Sequence, residues 1–215
     1  MHGRQIRPAQ PARVERVRRL SQVRPEADNA DEADNVGAGA GREIVNPVSG
    51  ERIIIRQSGA QTGGKLLSFD LYLPPGGHVP AGHTHPVQEE RFTVVEGQMR
   101  FRLGRRTILA QPGQTIIIPS GAAHWFGNAG AGVAHARVEV RPALRMQELF
   151  ETTEALGQAH RTLGARLTEL FGLARVVLEF QREIAVPHIP PPLVRLALAP
   201  LAWVGRSRSD SARRS

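Results

Sequence analysis

From Arg52 to Arg141 the chain is a succession of short strand-forming runs parted by Gly and Pro turns. Arg52–Arg56 reads RIIIR, a buried-strand candidate, and gives way to the turn-forming stretch 58–64. Lys65–Leu73 is rich in strand formers and stops at Pro74, Pro75, Gly76 and Gly77, because proline brings no N–H to a ladder. Gln98–Leu103 sets Met99, Phe101 and Leu103 against Gln98, Arg100 and Arg102, which leaves one face apolar, and Gly104-Arg105 makes the turn. Thr107–Ala110 and Thr115–Ile118 flank Gln111-Pro112-Gly113, and His124–Phe126 and Val133–Arg141 supply the last two strands. Short strands at near-regular spacing between such turns predict an all-β, antiparallel double-sheet barrel beginning near Ile44.

Chemistry-bearing side chains collect in the middle of this region. Residues two apart on a strand project from one face, so His83 and His85 can offer two imidazole nitrogens to a single ion. A carboxylate a few residues on, at Glu89 or Glu90, can complete a two-His, one-carboxylate set, and His124 is a fourth candidate. Three imidazoles and one carboxylate suit a first-row divalent metal.

The residues around these four resemble the cupin superfamily. Gly77, His83, His85, Glu90 and Gly97 fit its first motif, in which a Gly precedes His-x-His, a Glu and a second Gly, and Gly113, Pro119, Gly121, His124 and Asn128 fit its second. Fifteen residues, Gln98 to Pro112, lie between the motifs, the short spacing of compact bacterial members. The six-residue count back from Gly97 selects Glu90 over Glu89, and Glu90 shares strand parity with Phe92 and Val94. The resemblance implies a double-stranded β-helix, or jelly-roll barrel, that holds a metal through His83, His85, Glu90 and His124. Fe, Mn, Ni, Cu and Zn all accept these ligands. Phe92, Gln98 and Phe126 are expected on the pocket wall, with ordinary barrel core as the alternative for each.

The last strand has a mainly polar face of Val133, His135, Arg137, Glu139 and Arg141 and an apolar one of Ala134, Ala136, Val138 and Val140. Small apolar side chains suit a crowded interior, so the polar face is expected to point outward.

Composition narrows the surroundings. The chain has 215 residues and no Cys, so any metal must be held by imidazole and carboxylate, and a reducing cytoplasm fits. The net charge is +8, and every basic residue among the 28 Lys and Arg except Lys65 is Arg. Arg almost without Lys, beside many Ala, Gly and Pro, reflects a GC-rich genome, and no nucleic-acid-binding motif accompanies the charge, so no specific nucleic acid is expected.

Four segments follow. Residues 1–41 read as a disordered leader, basic then acidic, ending in the linker Gly37–Gly41, with a short helix candidate over Val14–Val23. Arg18-Arg19-Leu20 is not followed by an apolar run, so no export signal is expected. Residues 42–142 make the barrel, 143–205 a helical extension and 206–215 a disordered basic tail. Within the extension Ala143–Leu156 is a helix candidate, and Leu163, Leu167, Leu170, Phe171, Ala174, Val177 and Leu178 form a stripe at helical period before Pro187, Pro190, Pro191 and Pro192 break it. The dozen mainly apolar residues Leu193–Val204 are too few to span a bilayer, which needs about 20. With Trp203, Arg206 and Arg208 they are suited either to packing on the barrel or a second subunit, as in a homodimer, or to peripheral contact with an anionic membrane.

Two functional classes stay open. One is a metal-dependent enzyme of dioxygenase or isomerase type acting on a small molecule, most like single-domain quercetin-dioxygenase-type cupins, with Glu90 as ligand or proton acceptor. The other is a non-catalytic, small-ligand-binding cupin that acts as a sensor or interaction module.

Overall fold

The computed structural model describes residues 41–46, 49–79, 81–160 and 166–200. The leader with its candidate helix Val14–Val23, the tail 206–215 and residues Trp203, Arg206 and Arg208 lie outside the described residues.

Among the described residues nine strands form two antiparallel sheets. They are β1 (Glu43–Val45), β2 (Arg52–Gln57), β3 (Leu67–Leu73), β4 (Glu89–Glu96), β5 (Met99–Leu103), β6 (Arg106–Ala110), β7 (Thr115–Ile118), β8 (His124–Asn128) and β9 (Ala134–Arg141). The larger sheet runs β1-β2-β3-β9-β4-β7 and the smaller β6-β5-β8, and together they make a jelly-roll β-barrel. β4 and β9 alternate as their sequences do. On β4 Glu90, Phe92 and Val94 point inward, and on β9 Ala134, Ala136, Val138 and Val140 do. Phe92 faces Val138 across one rung of the large sheet and Phe101 faces Phe126 across one of the small sheet, so aromatic rings from both sheets meet in the middle. The β4–β5 connection turns at Gly97, whose φ of 75° and lack of a side chain are both required: a Cβ there would stand 2.8 Å from the Val133 carbonyl.

RIIIR is buried on one face only. Ile53 and Ile55 enter the core while Ile54 is half-buried, as expected for a strand next to the edge of an antiparallel sheet covered on one side. The polar face of β9 does point outward. There His135 Nε2 lies 3.1 Å from Asp70 Oδ1, the Tyr72 ring stacks on His135 at 4.3 Å, and the Arg52 guanidinium sits 4.0 Å above Tyr72. Asp70 is fully buried on this outer face beneath its contact with Arg56.

Past β9 the chain becomes helical, with α1 at Met146–His160 and α2 at Arg166–Glu179. α1 starts three residues later than its apolar pattern predicts, because Leu144 is held at φ 45°, outside the helical region. The helices pack where Gly172 meets Leu156; a Cβ on Gly172 would come within 2.9 Å of that side chain. Of the predicted stripe, Leu163 and the side chains of Leu167, Leu170 and Phe171 lie outside the described residues. In the remainder Ala174 is buried and Val177 and Leu178 are half-buried, while Val176, off the stripe, is buried as well. Phe180, just past α2, enters the barrel core. A last helical run covers 191–200, with Val194 turned inward and Leu193 and Leu196 exposed. No helix among the described residues is long and apolar enough to cross a membrane.

Candidate metal centre

The four expected ligands converge. One ligand atom from each of His83, His85, Glu90 and His124 can be chosen so that all lie within 4.8 Å of one another, and all four residues are buried. Three pieces of backbone bring them there. Glu90 is inward-facing on β4, opposite Ile118 of β7. His124 opens β8 opposite Leu103. His83 is tied to His124 by reciprocal backbone hydrogen bonds of 2.9 Å, and the carbonyl of His85 accepts from the Gly121 N–H at 2.8 Å. The His-x-His segment is thereby bound to the turn that carries the third histidine.

Every ring has one nitrogen committed. Nδ1 of His83 faces the Ala81 carbonyl at 3.2 Å, Nδ1 of His124 faces the Ala122 carbonyl at 3.0 Å, and Nδ1 of His85 faces the carbonyl of Glu183. A carbonyl only accepts, so these partners assign the proton to Nδ1 and leave Nε2 of each neutral ring with a lone pair. Nε2 of His124 and Nε2 of His85 then stand 3.0 and 3.2 Å from Glu90 Oε2. These are hydrogen-bond distances, yet none of the three atoms makes a hydrogen bond of proper geometry. Buried acceptors facing acceptors repel unless a cation lies among them. The donor set therefore fits a divalent metal ion, held through three imidazole Nε2 atoms and the Glu90 carboxylate, with each Nδ1–H donated outward as metal-binding histidines require.

The electrostatics point the same way. His83 is pushed down to about 3, by burial first and then by the neighbouring His124 and His85, so it stays neutral and able to ligate. Burial would raise Glu90, but His85 and His124 outweigh it and hold the carboxyl well below the usual range. For His85 burial favours the neutral ring; the Glu90 carboxylate and the Glu183 carbonyl overcome this and raise its pKa. A proton on His85 is thus the natural competitor of a metal.

The expected wall residues divide. Phe126 and Phe92 are buried beside the cluster, Phe126 with its ring 6.5 Å from His83 and 4.9 Å from Phe92. Gln98 is elsewhere. The register pairs Leu103 with His124 and Met99 with Asn128, so Gln98 sits past the far end of β5. At about 3.4 Å per residue the register sets it apart from the ligands. Glu89 is outward and opposite Arg141.

Two contributors escape a reading of motifs. Glu51 precedes β2 by one residue and shares the inward parity of Ile53 and Ile55; continuing the Arg52–Tyr72 register by one rung sets it against buried Leu73. It is a second, part-buried carboxylate whose pKa rises to about 7, first through burial and then through the charge of Glu90, with Ser49 opposing. Period-two spacing back from Ile53 is the signal that finds it. Glu183 acts through its backbone carbonyl, which leaves no signature in sequence.

No curated protein matches the chain. Among solved structures, a sugar phosphate isomerase of the cupin superfamily from Silicibacter pomeroyi aligns at TM-score 0.42 and 19% identity, over 47% of this chain and 71% of that one. KdgF from a Halomonas species aligns at 0.39 and 16%, over 43% and 81%. The DMSP lyase DddQ from Ruegeria pomeroyi aligns at 0.34 and 28%, over 38% and 40%. Residues 69–140, which run from β3 into β9 and include all four candidate ligands, match the family model described as a cupin domain. With the barrel, the spacing of both motifs and this match coinciding on the same strands, the chain carries a cupin domain.

Proposed function

We propose that the chain is a metal-dependent enzyme that acts on a small oxygen-bearing substrate, in a reaction of the oxygenase or isomerase type. The observation that carries the reading is the meeting of lone pairs at 3.0 and 3.2 Å between Nε2 of His124 and His85 and Oε2 of Glu90, an arrangement that calls for a cation. When bound, a first-row divalent ion would supply a Lewis acid that polarises and orients an enediol, β-diketone or hydroxy acid. The protein's part is to orient the three imidazoles through their Nδ1 partners, and to enclose the reacting group with Phe92 and Phe126. Glu51, outside the ligand set and with its pKa raised to about 7 by burial and by the charge of Glu90, is a group able to give or take a proton.

The test is metal analysis of protein purified without chelator, followed by oxygen uptake and product analysis with enediols, hydroxy acids and flavonoids. The expected result is one first-row ion per chain and turnover of at least one class. Glu90→Gln should weaken metal binding by more than the roughly 10- to 100-fold typical of losing an outer-shell partner. Stoichiometric metal with tight binding but no turnover of any compound would identify a ligand-binding module instead. A chain that takes up no metal, and whose His124→Ala variant behaves as the wild type does, would sink the proposal.

A further inference from the structure

The helical extension reaches back into the metal centre. After α2 the chain turns at Phe180, whose carbonyl accepts from the Glu183 N–H at 3.0 Å and the Ile184 N–H at 2.8 Å. It then runs alongside the His-x-His segment, where Thr84 and Ala185 exchange two backbone hydrogen bonds of 3.1 and 2.8 Å. This antiparallel bridge sets the Glu183 carbonyl against Nδ1 of His85. The strap is clamped from the other side. Glu183 Oε1 accepts from the Arg145 N–H at 3.1 Å, the Arg145 guanidinium lies 4.7 Å over the Phe180 ring, and Gln88, fully buried, donates to the carbonyls of Pro142 and Ala143 at 2.9 and 3.1 Å.

His83 and His124 differ from His85 in one respect. Their Nδ1 atoms face carbonyls two residues away, within their own turns, whereas the acceptor for His85 comes from 98 residues later in the chain. The orientation and tautomer of one ligand are therefore set by a segment outside the barrel. Losing such an outer partner typically costs about 10- to 100-fold in metal affinity.

We propose that residues 180–185 are a positioning strap for His85, so that docking of the helical extension and metal occupancy of the barrel are coupled. The inference rests on the reading of the cluster as a metal centre. Because coupling between two binding events is reciprocal, bound metal must also hold the strap down.

The experiment uses the full chain stripped of metal and titrated with cobalt(II), followed by its visible spectrum and by amide hydrogen exchange. In the wild type, cobalt should slow exchange at the Ala185 N–H, which the Thr84 carbonyl accepts. Ala185→Pro, which deletes that donor, should lower cobalt affinity about 10- to 100-fold and alter the spectrum. Ala185→Gly, which retains the donor, should restore both toward the wild type. Exchange in the wild type is the arm that does not depend on whether Ala185→Pro folds. A wild type that takes up cobalt with no change of exchange at Ala185 overturns the strap alone, as does an Ala185→Pro variant of unaltered affinity and spectrum. A wild type that takes up no cobalt overturns the metal centre and the strap together.

Discussion

Glu51 lies within electrostatic reach of Glu90, and the two inward carboxylates share one barrel while only Glu90 has histidine partners. Burial and the Glu90 charge lift Glu51 to about 7, against 4.5 for a free glutamate.

That difference sets a pH dependence for the metal-free protein. Between pH 4.5 and about 7 the folded chain keeps a proton on Glu51 that the unfolded chain has released. Stability falls with rising pH wherever the native state binds more protons, so the Glu51 contribution declines across this window and is level above it. Glu51→Gln should remove the decline. Urea midpoints of both proteins at pH 5 and pH 7.5 measure it, and the difference between the proteins isolates Glu51 from the histidines that titrate nearby. An equal pH dependence in the two would show that Glu51 is not held protonated.

On the outer face of the large sheet Asp70 is fully buried while its partner Arg56 is partly exposed. Removing the arginine leaves a buried carboxylate with only the 3.1 Å contact to His135, while removing the carboxylate lets Arg56 reach water. Losing one member of a buried pair costs about 3 kcal/mol when the other stays buried and charged. Arg56→Met should therefore destabilise by about 3 kcal/mol, and Asp70→Asn by distinctly less, as measured by chemical denaturation. The reverse order would mean that Asp70 is solvated and the contact is superficial.

How much of this was legible in the sequence depends on the distance over which each feature is encoded. His83, His85 and Glu90 fall on one face through period-two spacing, and His124 follows a Gly-Pro-rich turn at a spacing the motif defines, so the convergence of all four is written locally. The outward turn of His135 and Arg137 follows from the same alternation. For Gln98, nearness to Gly97 says nothing about which end of the barrel that hairpin occupies; only the Leu103–His124 register does. The cover over Asp70 and the Glu183 carbonyl on His85 arise from pairings between distant segments. A backbone acceptor is the same in every residue type, so no side-chain pattern could have announced it.

Phe126 and Gln98 allow the clearest separation of wall from periphery. Phe126 is buried between His83 and Phe92, so trimming it to alanine opens a cavity beside the ligands at a cost of about 3–5 kcal/mol. Phe126→Leu keeps most of the volume and should cost only about 1 kcal/mol, while changing the shape of the wall that His83 rests on. The visible spectrum of the cobalt-loaded protein should shift in Phe126→Leu because the His83 ring gains freedom. Gln98→Ala, at the far end of β5, should stay within about 0.5 kcal/mol of the wild type and leave that spectrum unchanged. Denaturation and cobalt spectra on the three proteins decide the matter: a Gln98→Ala spectrum displaced as far as that of Phe126→Leu would place Gln98 at the metal after all and contradict the register of β5 against β8.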